Sequence, residues 1–293
     1  MIYTIENDKI KVAIEDKGAQ LYSIYGKTTD FEYLYQGKKG FWAGRSPILF
    51  PICGRLRDGI CTYKGNTYKI PLHGFARTKV FAVTKHTKTK IVFSITEDKK
   101  TLKQYPFKFR LDVIYSVKGA KVSMEYNVTN TGDEVLPFSI GGHPGFNIPL
   151  EKGVRFHDHY LQFAKKTNVE ALVYTKEVYY TGKTAPYELY KGKILKLRHN
   201  LFDIDGVFLA NMSDTVTLKS DKAKRFVKLS APKATHIGFW HDPRRYAPYV
   251  CIEPWRGVFA LEGVTEDLET KLEMNFLNKG ETYNYPIYMQ VGE

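Results

Sequence analysis

Four stretches set reactive side chains into sequence that is neither regular strand nor ordinary turn. Tyr249-Val250-Cys251-Ile252-Glu253-Pro254-Trp255-Arg256-Gly257 carries a carboxylate inside an apolar run. A glutamate is almost never fully buried without a partner. Glu253 is therefore either a buried acid paired with an arginine or a general base whose pKa burial lifts toward the working pH. Ser139-Ile140-Gly141-Gly142-His143-Pro144-Gly145-Phe146-Asn147 holds His143 in a tight turn after a strand. Such a loop is a favoured place for function, and a structural reading stands equally beside it. In Leu72-His73-Gly74-Phe75-Ala76-Arg77 the glycine lets another backbone approach closely, although a lone histidine is as often structural. Arg45-Ser46-Pro47-Ile48-Leu49-Phe50-Pro51-Ile52-Cys53-Gly54-Arg55 has two prolines in an apolar run, which predicts a buried irregular segment rather than a central strand. It is either a stiff loop with surface arginines or a rigid mount that aims Arg55's donor fork at a polar ligand.

Other candidates carry less. His157-Asp158-His159 has no third ligand at a useful spacing and reads as a polar turn, so no metal is expected. His86, His199, His236 and His241 lie among lysines and polar residues, which points to the surface or to a supporting layer. Trp42, Trp240 and Trp255 could offer apolar faces to a ligand ring; Trp42 reads as core, because aromatic rings carry much of core burial. The common esterase, nucleotide-hydrolase and nicotinamide-enzyme motifs are missing from the sequence.

The elements that must position these groups read as strands. Ile10, Val12 and Ile14 alternate with polar neighbours, as do Val122, Met124, Tyr126 and Val128. Val80–Val83, Ile91–Ile95 and Leu111–Tyr115 have strand length and β-branched or aromatic content. Gly65-Asn66 and Asn130-Thr131-Gly132 are candidate hairpin turns, and Lys99–Tyr105 a short helix. With aromatics at 14% and strands recurring from end to end, the expectation is an all-β, large antiparallel sandwich with few short helices. No Ser/Gly/Pro-rich linker interrupts the 293 residues, so residues 1–293 read as a single domain despite a prior of about 150 residues per domain.

Lys and Arg outnumber Asp and Glu by 13, a balance that raises nucleic acid, anionic lipid or an anionic substrate. The lysines are scattered through turns and no nucleic-acid-binding motif accompanies them, so neither nucleic acid nor membrane is expected as a partner. The first residues lack the basic-then-apolar pattern of a secretory signal, and no apolar run approaches the roughly 18 residues of a bilayer span. Three cysteines without a CxxC pair fit free thiols in a reducing compartment, with cytoplasm the expected location.

Taken together, the motifs resemble the aldose 1-epimerase (galactose mutarotase) family, in its LacX-like branch. The resemblance rests on order and spacing over nearly the whole chain: Pro47-Ile48-Leu49-Phe50-Pro51-Ile52-Cys53-Gly54-Arg55, His73-Gly74-Phe75-Ala76-Arg77, Gly141-Gly142-His143-Pro144-Gly145-Phe146, Asp203-Ile204-Asp205-Gly206-Val207-Phe208 and Cys251-Ile252-Glu253-Pro254-Trp255. It implies a galactose mutarotase-like supersandwich with a sugar site on a concave sheet face, and no cofactor. It implies Glu253 as catalytic base, His143 as catalytic acid, and His73, Arg55 and Asp205 as sugar-holding residues. Arg77 and Trp255 are further substrate-binding candidates on their own residue types. Asp205 is preferred to Asp203 because the family pattern sets this aspartate three residues before an aromatic, here Phe208. Two departures put substrate identity in doubt: Gly54-Arg55-Leu56-Arg57-Asp58 stands where an Asn-Arg-Ile core is usual, and Ile252-Glu253-Pro254-Trp255 where Leu-Glu-Thr-Gln is usual.

The implied substrate is a hexose, whose anomers interconvert by acid–base ring opening and reclosure. The His-Gly-Phe-Ala-Arg run also resembles hexose-6-phosphate 1-epimerases, in which case Arg45, Arg57 or Arg77 would meet a phosphate. A non-catalytic sugar sensor on the same fold is a third reading. A glycoside hydrolase would need two opposed carboxylates, a demand only Glu253 and Asp205 could meet, and would leave the histidine motifs without a role.

Overall fold

The computed structural model describes all residues, 1–293. Strand accounts for 48% of the chain and helix for 6%, which makes the protein all-β. Every pairing between long strands is antiparallel.

Alternation of side chains builds the larger, nine-stranded sheet. In Phe109–Lys118 the odd positions Phe109, Leu111, Val113, Tyr115 and Val117 are buried while the even ones face outward. Lys121–Asn130 repeats this with Val122, Met124, Tyr126 and Val128 inward. The two strands pair over their full length through a turn at Gly119-Ala120. Because side chains in a strand point alternately to opposite faces, this pattern fixes which face meets the core. The sheet continues through Thr282–Gly292 and Phe226–Ser230 on one side and Lys90–Thr96 and Ala82–His86 on the other. Its inner residues join a cluster of 62 buried side chains running from Ile5 to Val291.

The second large sheet runs in the order Tyr180–Pro186, Glu170–Tyr174, Val207–Ala210, His236–Trp240, Tyr249–Arg256, Ile140–Gly142 and Ile48–Leu49, with Gly145–Asn147 also on Tyr249–Arg256. Its central strand is buried on both faces from Tyr249 to Trp255. One face meets the core through Val250 and Ile252. The other presents Cys251, Glu253 and Trp255, spaced by two and so on one side.

Several local expectations hold and several shift. A six-residue helix, Lys99–Gln104, forms under a capping box from Asp98 and Thr101. The hairpin expected at Gly65-Asn66 turns one residue earlier: Tyr63 pairs with Asn66, and Lys64 and Gly65 take φ of 48° and 74°. Both central residues then have the positive φ that matches strand twist. Asn130-Thr131-Gly132 is not a hairpin. Asn130 is buried and its side chain bonds Gly132 N–H and the carbonyls of Glu134 and Leu277, sending the chain onward to a separate pairing of Leu136–Phe138 with Asn275–Leu277.

Burial decides between the two placements left open for the histidines. His236 and His241 lie beneath the surface, with ring nitrogens bonded to Gly257 O and to Asp242 O and His199. His157 and Asp158 do lie in a short turn, but His159 is 1% exposed and opens a strand, its ring fixed between Leu150 N–H and Arg155 O. No helix is long and apolar enough to cross a membrane.

Candidate active site

The segment from Ser46 to Gly54 is buried throughout and forms the floor beneath the motifs. His73 and Gly74 dock onto it. Phe50 N–H donates to His73 O, Phe75 N–H donates to Phe50 O, and His73 N–H donates to Gly54 O at 2.8 Å. A Cβ at position 74 would lie 2.0 Å from Phe50 O, so only glycine permits this approach. His73 itself takes φ 61°, and its Nδ1 accepts from Gly54 N–H at 3.1 Å. Burial holds the ring's pKa well below the usual histidine range, with the nearby His143, Arg77 and Arg55 adding to the effect. A neutral ring that accepts at Nδ1 carries its proton at Nε2, so His73 offers a donor there.

His143 stands between Ile140–Gly142 and Gly145–Asn147, its N–H bonded to Pro47 O, while Pro144 O accepts from Ile252 N–H. This pins the turn to the strand that carries Glu253. His143 Nε2 lies 3.2 Å from Glu253 Oε1, with the side chains 8% and 2% exposed. Glu253 Oε1 and, on the other side of the imidazole, His143 Nδ1 have no hydrogen-bond partner in the protein. Burial lifts the Glu253 carboxyl well above the usual range, and the Asp205 charge adds to this. Burial pushes His143 down to about 3, with the Arg77 charge working the same way.

These groups face one cavity of about 340 Å³, within the size range of small-ligand sites. Arg55, His73, Arg77, His143, Asp205, Glu253 and Trp255 all line it. Asp203 does not; it is exposed, while Asp205 is drawn in and accepts from Gly206 N–H at 2.8 Å. Burial raises the Asp205 carboxyl, and the Gly206 bond and Arg55 hold it back. The arginine charge therefore falls on Asp205 and not on Glu253. Arg55 is steadied by Glu177 O at 2.8 Å. Arg45 and Arg57 turn elsewhere: Arg45 stacks 3.5 Å over Tyr22 and bonds Tyr22 O and Gln36, and Arg57 bonds Gly263 O beside exposed Asp58.

Eight buried side-chain polar atoms lack a hydrogen-bond partner in the protein, and four of them belong to lining residues: Arg77 Nε, His143 Nδ1, Glu253 Oε1 and Trp255 Nε1. Orphaned polar atoms cost free energy unless something polar meets them, so their concentration here marks a surface built for a polar ligand. Phe208, Phe259 and Val178 supply an apolar wall. The arrangement sets a buried carboxyl and a buried imidazole side by side on the wall of a cavity lined by further charged and polar groups.

Trp42 is not core. It is partly exposed, lines the cavity, and lies 4.8 Å from the His143 ring at 30°, with Trp240 edge-on to both. Asp242 is a lining residue that sequence reasoning missed, because His241-Asp242-Pro243-Arg244-Arg245 looks like any polar turn. Ligand atoms of His143, Cys251 and Glu253 lie within 4.8 Å of one another. Burial holds the Cys251 thiol well above its usual range, and three groups fall one short of a closed tetrahedral set. Cys53, Cys61 and Cys251 are all free and buried.

The sequence profile of the family described as aldose 1-epimerase matches residues 1–289. Protein LacX of Lactococcus lactis subsp. lactis, in its plasmid and chromosomal versions, is 32% identical over 270 residues covering 88% of both chains. A galactose mutarotase related enzyme from Lactobacillus acidophilus superposes with a TM-score of 0.94 at 35% identity, over 100% of this chain and 98% of that one. A galactose mutarotase-like protein from Lactobacillus casei gives 0.95 at 29% identity over the whole of both chains.

Proposed function

The chain belongs to the aldose 1-epimerase family, and from that premise we propose that it interconverts the α and β anomers of a hexose, with Glu253 and His143 moving the protons. The observation that carries this reading is the buried His143–Glu253 contact of 3.2 Å, opening on a cavity lined by hydroxyl-binding groups.

Ring opening requires the C1 hydroxyl to lose a proton, the C1–O5 bond to break and the ring oxygen to gain a proton. Glu253 as carboxylate takes the first proton; His143 as imidazolium gives the second. The open aldehyde turns about C1–C2, and O5 attacks the other carbonyl face while His143 recovers its proton and Glu253 returns its own. Each transfer of this kind contributes about 10²–10⁴-fold in rate.

The two shifts set the resting form of the pair, which is the form that opening produces and reclosure consumes. With one proton between them, the pair is either carboxyl plus neutral imidazole or carboxylate plus imidazolium. Burial favours the first form, raising Glu253 and lowering His143. Opening carries the pair from the second form to the first, and reclosure carries it back. Because both forms hold the same proton count, the pair titrates as a unit, and the rate falls on either side of the singly protonated state.

His73 Nε2–H, Asp205 and Arg55 hold the sugar hydroxyls, and Trp255 gives the pyranose an apolar face. A second reading has one observation behind it: Arg77 Nε, buried and unpartnered on the cavity wall, suits an anionic substituent, as on a hexose phosphate. Residues 1–293 act as one domain in the cytoplasm; the core cluster from Ile5 to Val291 and the three free thiols support this.

The test is the equilibration of freshly dissolved α-D-glucose followed by polarimetry. Acceleration proportional to enzyme is expected, and repetition with glucose 6-phosphate ranks the two substrates. Sugar binding without acceleration of either would make the protein a sensor instead.

A further inference from the structure

Trp42 reaches the cavity from a loop far from the other site residues, and the structure holds it there by unusual means. A Cβ at Gly44 would lie 2.4 Å from the indole, so the ring rests directly on backbone that only glycine leaves bare. The Trp42 N–H donates to Asp242 Oδ2 at 2.6 Å, a bond between residues 200 apart in sequence. Three residues on, Arg245 Nη1 bonds Gly40 O of the same loop. Asp242 is itself fixed, its N–H donating to the buried Tyr249 hydroxyl at 3.0 Å. The turn after Trp240 thus clasps the Trp42 loop at two points. The indole it secures stacks on Tyr35, 6.2 Å away and nearly parallel, and covers the His143 ring.

We propose that Asp242 is a positioning residue that fixes Trp42 as the wall over His143, so that the sugar ring meets the proton donor in one orientation. This rests on the anomer-exchange reading of the site. A charge-assisted bond to a backbone N–H is strong enough for the task, and small misplacements of a wall beside reacting atoms carry large rate penalties. Asp242 also borders the cavity, so the test must tell positioning of Trp42 from direct contact with sugar.

The experiment is a cycle of Asp242→Ala, Trp42→Ala and the double variant, with Asp242→Asn alongside. For anomer exchange, kcat/KM is expected to fall roughly 10- to 100-fold in Asp242→Ala. The same change should cost less than about 2-fold when Trp42 is already alanine, as coupled residues are not additive. Asp242→Asn keeps an oxygen for the Trp42 N–H and should retain most of the rate. Acrylamide quenching of tryptophan emission should rise in Asp242→Ala and stay level when Asp242→Ala is added to Trp42→Ala. Losses that multiply in the double variant, or unchanged quenching in Asp242→Ala, would overturn the proposal. The quenching arm needs no turnover, so an inactive wild-type protein would count against anomer exchange while leaving the bracing of Trp42 to be judged on its own.

Discussion

Two buried acid–base pairs lie within this protein, and they are built to opposite rules. Lys271 and Glu266 are 4% and 3% exposed, 4.0 Å apart, and each has a hydrogen-bond partner: Lys271 Nζ donates to Val258 O and Glu266 Oε1 accepts from Leu261 N–H, both at 2.7 Å. His143 and Glu253 are closer, at 3.2 Å, yet each keeps a buried atom without a partner. A pair whose facing atoms each find a backbone partner holds a fold together. One left incomplete stores the cost of burial in groups that a substrate can satisfy. The first pair therefore fastens the loop behind Phe259, and the second faces the cavity.

The contrast is most easily broken at Glu253. Glu253→Gln should reduce anomer exchange about 10²–10⁴-fold while leaving the fold intact, measured by polarimetry beside thermal unfolding. The sign of its stability effect follows from the raised pKa. An unfolded glutamate ionises above about 4.5, whereas the buried one resists, so the wild-type protein loses stability as pH rises from 4.5 toward the folded value. Glutamine removes that loss, and the variant should gain on the wild type over the same window. A less stable variant at neutral pH would argue that Glu253 is structurally paired after all.

Lys271→Ala should do the reverse. Removing the ammonium leaves Glu266 buried without its countercharge and the Val258 carbonyl without its donor, at about 3–5 kcal/mol of unfolding free energy, while kcat/KM per folded molecule changes little. Denaturant melts and assays on the same preparation separate the two quantities. Asp205→Asn should raise KM about 10-fold, consistent with losing one charged hydrogen bond. Asp203→Asn, on the exposed side of the same turn, should stay within about 0.5 kcal/mol and leave KM alone. Equal effects at 203 and 205 would erase the distinction between them.

His143 gives a subtler signature. Its folded pKa is near 3 against an ordinary 6.5, so the neutral ring's contribution to stability is complete above pH 6.5 and drains away as pH falls toward 3. His143→Asn should flatten stability across that interval in acid melts, besides slowing exchange. An unchanged slope would mean that the imidazole is not kept neutral by burial.

How much of this was legible before folding depends on where the physics is local. Phe109–Lys118 and Lys121–Asn130 show their faces in the sequence because one side meets core and the other water. Tyr249–Arg256 shows none, because both sides are buried, and its Glu253 stood out only as an acid among apolar neighbours. Arg55, His73, His143 and Asp205 were readable as candidates from their motifs, and the cavity draws them together. Trp42 and Asp242 were not readable. Their meeting is a tertiary bond across 200 residues, and neither flank of it departs from ordinary loop composition. The hairpin at Lys64-Gly65 slipped by one because a lysine accepted the positive φ expected of its neighbours.

If the incomplete pair performs anomer exchange, removing its carboxylate must abolish that exchange. The most direct test compares wild-type protein and Glu253→Gln, at equal folded concentration, for the rate at which α-D-glucose reaches equilibrium. Acceleration by the wild type is expected, with a rate indistinguishable from buffer for the variant. Equal acceleration by both proteins would contradict it.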